Sequence, residues 1–320
     1  MTPRESFIHA LERRTPIPGG RVPHFELVFF LTMEAFGKVH PSHRTFGQWD
    51  QFSPRERELH RKDIAQLYID TARRYGHSAI FVHPWQGAPD EELGRLVKTI
   101  RNLSGDEFFL MVHGDATMGL PSGNAMDAVC RLYDQPEDVI KECDARVDAM
   151  IRRADEHLSD CGLDGFALCS DYCFNTGPWM SPELFRKFIT PFLTRLTRAY
   201  RDRGFYVIKH TDGNIMPILD QLLESNPHAL HSLDPQGGVD IAEVKRLAGD
   251  RICLIGNVNC GLLDTGTDEQ CTESARYAFK AGMSGGGYIF STSNCIYSGM
   301  PLARYDLIRN VWRKEGVYPG

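Results

Sequence analysis

The sequence predicts an α/β protein with the (β/α)8 TIM-barrel fold, formed by residues 1–320 as a single domain. Eight short apolar segments, each about as long as a buried parallel strand, mostly alternate with longer segments that have helical spacing. Polar residues stand at the ends of these segments, where barrel enzymes build their active sites. An open doubly wound sheet is the main alternative, but it usually has fewer strands and often a GxGxxG turn, which does not follow the first segment here.

The eight apolar segments follow one another along the whole chain. In order they are "VPHFELVFF" near 22–30, "SAIFVHP" near 78–84, "EFFLMVHGD" near 107–115, "GFALCSD" near 165–171, "FYVIKHTDG" near 205–213, "HALHSLDP" near 228–235, "RICLIGNVN" near 251–259 and "GGYIFSTSN" near 286–294. The glycines "SGGG" at 284–287 precede a strand, so they indicate a turn into the last strand and not a phosphate loop.

The segments between the predicted strands have the periodicity and end signals of helices. In "PEDVIKECDARVDAMIRRADEHL" apolar residues recur at helical spacing. In "SPELFRKFITPFLTRLTRAYRDR", Ser181 and Pro182 are a plausible N-cap and first-turn pair. Asp240 is predicted to cap the helix that begins with "IAEVKRL".

Composition and charge exclude several classes of protein. The formal charge is −6 and there is no long basic run, so nucleic acid is not an expected partner. No apolar run approaches the roughly 20 residues that span a bilayer, and the N-terminus is predicted to form a polar helix, not a signal peptide. The nine scattered cysteines indicate reduced thiols, so we expect a cytoplasmic protein.

Polar side chains lie at the carboxyl end of nearly every predicted strand. This arrangement predicts one active site at the carboxyl ends of the barrel strands. Local turn and cap preferences explain single cases but not the whole ring. The residues are Glu26 in the first strand, then His83, His113, Asp115, Asp171, His210, Asp212, Asp234, Asn257, Asn259, Thr292, Asn294 and Cys295 at the ends of the others.

His210 and Asp212 share one face of the fifth strand because side chains alternate along a strand. Lys209 points the opposite way and is predicted to face the helices. Three roles are open for the pair: metal ligands in the barrel mouth, acid–base or substrate contacts, and a purely structural hydrogen-bonded pair or helix cap.

Four motifs in the second half of the chain resemble the uroporphyrinogen decarboxylase superfamily. They are "GPWMSPELFRKFITPFLTRL" (177–196), "HTDGN" (210–214), "LIGNVNCGLLDTGT" (254–267) and "GGYIFSTSNCIYSGMPLARY" (286–305). The resemblance implies a (β/α)8 barrel and one of two activities. One branch decarboxylates porphyrinogens, and the other contains zinc-dependent methyltransferases that exchange methyl groups with a corrinoid cofactor.

The departures from the superfamily pattern favour the methyltransferase branch. True decarboxylases carry "RQAGR" after the first strand, whereas "HFELVFFLTMEAFGKVH" here has Glu26 and Glu34 but no arginine. The porphyrinogen substrate of those enzymes has eight carboxylates, and such a polyanion needs arginine side chains that pair with its charges. The family's aspartate at the second strand end is His83 here, and its histidine in the last loop is Asn294.

The methyltransferase branch implies a zinc site made by His-x-Cys on the fifth strand and a cysteine in the last loop. On this chain the matching positions are His210, Asp212 in place of the cysteine, and Cys295 one place beyond the expected position. These three residues are the predicted metal ligands, because a His/Asp/Cys set is chemically suitable for zinc. Glu26 or His83 is the alternative source of a ligand.

The sequence therefore predicts a methyltransferase that moves a methyl group between a small substrate (a methoxylated aromatic compound, a methylamine or a thiol) and a corrinoid protein, assisted by zinc. A decarboxylase of a porphyrinogen or smaller carboxylate and a non-catalytic ligand-binding barrel are the alternatives, and a homodimer is possible. The predicted catalytic residues are His210, Asp212, Asp171 and His113; the predicted substrate contacts are Glu26, His83, Trp85, Tyr172, Asn257, Asn294 and Tyr297.

Overall fold

Seven parallel strands form the central sheet in the computed structural model, which describes residues 1–320. Along the sheet they are β1 (Ala79–Val82), β2 (Phe109–His113), β3 (Gly165–Cys169), β6 (Tyr206–Thr211), β7 (Ala229–Ser232), β8 (Cys253–Val258) and β9 (Tyr288–Thr292). A separate antiparallel pair, β4 (Cys173–Phe174) and β5 (Gly177–Pro178), was not predicted. Because the strands of the main sheet are parallel, their carboxyl ends emerge at one edge.

Helices connect these strands, and most of them cover the outer face of the sheet, whereas the first one packs on the inner-face side through Phe7, Ala10 and Leu11. They are α1 (Pro3–Leu11), α2 (Thr32–Phe36), α3 (Pro54–Tyr75), α4 (Asp90–Ser104), α5 (Ala125–Asp134), α6 (Pro136–His157), α7 (Pro182–Phe188), α8 (Thr190–Asp202), α9 (Leu219–Glu224), α10 (Ile241–Ala248), α11 (Cys260–Thr265), α12 (Asp268–Gly282) and α13 (Leu302–Glu315). Single 3-10 turns occupy Pro41–His43, Trp49–Gln51, Met216–Ile218 and Pro235–Gly237. None of the helices has both the length and the apolar character needed to cross a lipid bilayer.

The predicted helix caps are present. Ser181 accepts a hydrogen bond from the N–H of Leu184 at the start of α7, and Asp240 accepts one from the N–H of Ala242 in α10. The helix predicted to run on from Ser181 is divided, because α7 ends at Phe188 and α8 begins at Thr190. Pro191 explains the break, since it cannot donate the hydrogen bond that a continuous helix needs.

The predicted first strand near 22–30 is not a regular strand, which corrects the eight-strand prediction. The segment does hydrogen-bond to both edges of the sheet: Phe25 N–H donates to Phe290 O at 3.0 Å, and Ser78 N–H donates to His24 O at 2.6 Å. A continuous backbone ladder fails because the N–H of Thr292 donates to the Glu26 carboxyl at 3.2 Å instead of to a backbone oxygen.

Two apolar clusters lie on the two faces of the sheet. The larger one joins the strands to the helices, and the smaller one fills the inner face with residues such as Phe81, Met111, Ala167, Ile208 and Ala229. Side chains two positions further along a strand point the same way. The residues that follow these five at that spacing, and so project from the inner face toward the carboxyl edge, are His83, His113, Cys169, His210 and His231.

Candidate functional site

Asp171, His210 and Asp212 form a cluster at the carboxyl edge of the sheet. One ligand atom from each lies within 4.8 Å of the others. His210 Nε2 is 3.7 Å from Asp171 Oδ1 and 3.7 Å from Asp212 Oδ1. The imidazole is buried, whereas the side chains of Asp171 and Asp212 are 42% and 24% exposed. A small molecule can therefore reach the carboxylates from solvent, with the imidazole beneath them.

Strand β6 and the turn after it deliver two of the three groups. His210 lies on the inner face of β6, and Asp212 follows on the same side. The backbone N–H of Asp212 donates to Asp171 Oδ1 at 3.1 Å and so ties the two chain segments together. Gly213 continues the turn with a φ of +76°, and a Cβ there would lie 2.6 Å from the carbonyl oxygens of Cys173 and Phe174. This turn needs glycine.

The Asp212 carboxylate is held by two neutral donors. Ser232 Oγ donates to its Oδ1 at 2.8 Å, and Asn294 Nδ2 donates to its Oδ2. Burial raises the pKa of Asp212 to about 7, the charge of Asp171 adds to the rise, and these hydrogen bonds oppose it. Asp212 can therefore exchange a proton near neutral pH or remain ionised beside a cation.

The His210 ring is engaged on its other side by His231. Their Nδ1 atoms are 2.7 Å apart, and their residues pair directly in the register of β6 and β7. Burial lowers the pKa of His210 to about 4, with Asp171 opposing the shift. His210 is thus neutral at neutral pH. His231 was not predicted from the sequence, because the prediction considered only polar residues at the ends of strands. An ionisable residue inside the apolar segment "HALHSLDP" could have indicated it.

Cys295 and Tyr297 lie beside the cluster. Cys295 is not among the three clustered residues, and burial raises the pKa of its thiol to about 12, with the charge of Asp212 adding to the rise. Burial also raises the pKa of Tyr297, and the charges of Cys295, Cys260 and Asp212 contribute. Tyr297 is 42% exposed, so its ring lies at the solvent side. The predicted thiolate ligand stays a prediction.

Glu26 and Tyr172 make their polar contacts away from the cluster. Glu26 is buried, accepts hydrogen bonds from Thr292 and lies 3.2 Å from His24 Nε2. Tyr172 is fully buried, and its hydroxyl is 2.6 Å from that of Thr117. Both side chains are buried, and neither has a hydrogen bond to the side chains of the cluster, so their predicted substrate contacts stay predictions.

Of the other predicted site residues, Trp85 and Asn257 are buried, and His83 and His113 are half-buried. His83 and His113 project from the inner face, and burial lowers the pKa of both, that of His83 to about 4. Trp85 packs against Trp49 with the ring centroids 4.2 Å apart. Asn257 donates to the carbonyl of Leu233 at 2.9 Å. By the alternation along their strands, His83 and His113 share the inner face with His210.

The cluster has the donor set of a divalent-cation site. Two carboxylate oxygens and a neutral imidazole nitrogen suit zinc and similar ions. The 3.7 Å separations are close to the roughly 3.4 Å between neighbouring ligands of a tetrahedral cation. No arginine or lysine forms an ion pair with Asp171 or Asp212. The donor types and the two distances from His210 therefore fit a divalent cation.

Solved structures share the fold over almost the whole chain. A methyltransferase from Methanosarcina mazei superposes with a TM-score of 0.72 and 17% identity, covering 98% of this chain and 99% of that chain. A B12-independent methionine synthase from Shewanella sp. W3-18-1 has a TM-score of 0.54 and 12% identity, covering 92% and 99%. A D-allulose 3-epimerase from Methylomonas sp. has a TM-score of 0.52 and 16% identity, covering 93% and 98%.

The family comparison covers most of the chain and all the residues of the cluster. A search of curated proteins gave no match. The family model described as "Uroporphyrinogen decarboxylase (URO-D)" matches residues 111–314 of the 320, a range that includes Asp171, His210 and Asp212. This match confirms the resemblance of the four sequence motifs, and the chain belongs to the uroporphyrinogen decarboxylase family.

Proposed function

We propose that this protein is a methyltransferase that works with a divalent cation, zinc in the first place, bound by Asp171, His210 and Asp212. One observation carries the proposal: three atoms with free lone pairs converge within 4.8 Å, and no cationic side chain is paired with the two carboxylates. Such a group of acceptors needs a cation or a proton between them. Asp171 takes the role that the sequence assigned to Cys295, and the thiol remains a candidate for a fourth ligand.

The absence of an arginine clamp favours methyl transfer over porphyrinogen decarboxylation. Donors to the Asp212 side chain are the neutral groups of Ser232 and Asn294, and Lys209 is paired elsewhere, with Asp115. A polycarboxylate substrate would leave its charges without partners here. A small, nearly neutral methyl donor carries no such cost.

The chain's own residues bind and orient the reacting groups. A bound divalent cation would stabilise negative charge on a leaving oxygen or lower the pKa of a thiol acceptor. Asp171, which is exposed, faces the incoming substrate, while Ser232 and Asn294 fix the orientation of Asp212. Tyr297 and the exposed ring of Phe174 supply apolar surface near the mouth.

The partner in this proposal is a corrinoid protein that carries the methyl group. The resemblance of the sequence motifs is the basis for the corrinoid partner, whereas the Methanosarcina mazei structure that superposes over nearly the whole chain bears only the name methyltransferase. The open side of the cluster is the carboxyl edge of the sheet, where barrel enzymes bind their substrates.

We propose further that the segment 23–26 closes the sheet in the position of an eighth strand, since it hydrogen-bonds to Phe290 and Ser78.

The first experiment measures the metal content of the purified protein by mass spectrometry and its affinity for Zn²⁺ by calorimetry. We expect near-stoichiometric binding in the wild type and strong loss in Asp171→Asn and His210→Ala. Asp240→Asn is the matched control, because Asp240 is an exposed carboxylate that caps α10. Cys295→Ser decides whether the thiol is a ligand. A wild type that binds no metal when Zn²⁺ is supplied would refute the metal site.

A decarboxylase is the second candidate, and the pKa of Asp212 is the observation that favours it. A carboxyl group that titrates at about 7 can donate a proton to a carbanion without a metal. This candidate predicts that metal-free protein consumes a carboxylate substrate and that Asp212→Asn abolishes the reaction. The methyltransferase predicts instead that methyl transfer to cob(I)alamin from a panel of methoxylated aromatic compounds requires the metal.

A further inference from the structure

His231 hydrogen-bonds to the back of the His210 ring and has no contact with Asp171 or Asp212. The Nδ1 atoms of the two histidines are 2.7 Å apart, so one of them must carry the proton of that bond. The structure decides which one, because the remaining contacts of His231 restrict its own tautomer.

The backbone carbonyl of Thr292 fixes the proton of His231. His231 Nε2 is 3.1 Å from this oxygen, which can only accept, so Nε2 must donate. His231 is 1% exposed, and its three hydrogen-bonding partners are His210, Thr292 and the Ser291 hydroxyl, none of them an anion. A charged imidazolium without a counterion is too costly at such a site, so His231 is neutral and its Nδ1 has only a lone pair.

The lone pair on His231 Nδ1 requires that His210 donate from its own Nδ1. A neutral His210 then has no proton on Nε2, and this bare nitrogen is the atom that lies 3.7 Å from the Asp171 and Asp212 oxygens. The two carboxylates alone would favour the opposite tautomer, with an N–H at Nε2 pointing at them. His231 therefore opposes the preference of the cluster itself.

We propose that His231 is a positioning residue that holds His210 in the Nδ1–H tautomer and so presents the Nε2 lone pair to a cation. The role of the cation rests on the proposed function, whereas the tautomer does not. Partners of this kind, which hydrogen-bond to the far nitrogen of a ligating histidine, typically change metal affinity roughly 10–100-fold when they are removed.

The test is a long-range ¹H–¹⁵N correlation spectrum of the metal-free protein, which distinguishes the two tautomers of each histidine. The signals of His210 are assigned by their loss in His210→Asn. We expect a protonated Nδ1 and a bare Nε2 in the wild type. An Nε2–H tautomer of His210 in the wild type would overturn the proposal, even if the His231 variants do not fold.

Three variants separate positioning from a general effect on structure. His231→Phe keeps a ring but removes the acceptor, and we expect His210 to shift to Nε2–H and the Zn²⁺ affinity to fall roughly 10–100-fold. His231→Gln retains an acceptor for His210 and a donor for Thr292, so it should keep the Nδ1–H tautomer. His228→Phe is the control: His228 lies on the same chain segment but accepts from the N–H of Val207, at 2.9 Å, away from the cluster.

The outcomes also distinguish this proposal from the proposed function. An Nδ1–H tautomer that survives in His231→Phe overturns the role of His231, whatever the metal data show. An Nδ1–H tautomer in the wild type that is lost in His231→Phe supports the role of His231, even if the protein binds no Zn²⁺. In that case only the metal-dependent methyltransferase fails.

Discussion

Lys209 and Asp115 form an ion pair from which solvent is completely excluded. Lys209 Nζ is 2.8 Å from Asp115 Oδ2, and neither side chain has any exposed surface. Lys209 also lies over the ring of Tyr172, 4.1 Å from its centroid. As the alternation along β6 predicted, the lysine points away from His210. Its charge is neutralised behind the cluster, so it is not available to bind a substrate.

Replacing Lys209 with Met should destabilise the protein by about 3–5 kcal/mol, because it leaves the buried Asp115 carboxylate without its cation. Burial raises the pKa of Asp115, but the charge and hydrogen bond of Lys209, together with two hydrogen bonds from Thr117, hold this pKa below its usual value. Urea denaturation measures the change in the free energy of unfolding. The double variant Lys209→Met/Asp115→Asn should recover much of the loss, and a single variant that costs less than about 1 kcal/mol would contradict the argument.

Glu26 should make the protein less stable as the pH rises through neutrality. Burial raises its pKa to about 8, compared with 4.5 for an unperturbed carboxyl. Between these values the folded state holds a proton that the unfolded chain has released. The stabilisation is complete below pH 4.5 and is lost as the pH rises toward 8, by about 1.4 kcal/mol per pH unit.

The variant Glu26→Gln tests this effect. Its amide can donate to His24 Nε2 and its oxygen can accept from Thr292, as the protonated acid does. The melting temperature should be compared between pH 6.5 and 8, above the ordinary pKa of histidine. We expect a smaller decline with pH in the variant than in the wild type. Parallel curves would show that the wild-type carboxyl does not titrate there.

Gly213→Ala should cost more stability than an ordinary glycine substitution. Gly213 and Gly204 both have positive φ angles, +76° and +83°, which cost an alanine about 1 kcal/mol. A Cβ at Gly204 meets nothing within 4 Å, whereas at Gly213 it lies 2.6 Å from two backbone oxygens. We expect Gly213→Ala to lose roughly 1–3 kcal/mol more than the control Gly204→Ala in thermal denaturation. If both variants lose the same stability, the backbone of the turn after Asp212 can shift to accommodate a Cβ at little cost in free energy.

Alternation along strands made much of the site predictable. His210, Asp212 and Asp171 follow buried apolar strands, and parallel strands bring their carboxyl ends to one edge, so these three could be predicted to meet. Glu26 follows the same logic, but it binds Thr292 and interrupts the ladder of its own segment. Such a competition between side chain and backbone depends on tertiary contacts that no local pattern contains. The pairing of His210 with His231 likewise depends on the register of β6 and β7.

Asn294 should control cation binding through Asp212, although it is not itself one of the clustered residues. Its Nδ2 donates to Asp212 Oδ2, and its Oδ1 accepts from the N–H of Cys295 at 2.7 Å, which fixes the amide in one orientation. Asn294→Ala leaves Ser232 as the only side-chain donor to the carboxylate, which can then rotate more easily. We expect the affinity for Zn²⁺ in calorimetry to fall by roughly 10-fold or more, as for other residues that orient a ligand.

Asn257→Ala is the matched control for this last prediction. Asn257 is a second amide near a strand end, and it is buried, but it donates to the Leu233 carbonyl at 2.9 Å and has no hydrogen bond to the cluster. Its loss should lower stability by about 1–3 kcal/mol, because it leaves that carbonyl unpaired, and the Zn²⁺ affinity of the folded protein should not change. If both variants weaken Zn²⁺ binding equally, the effect comes from general loosening of the carboxyl edge of the sheet and not from the orientation of Asp212.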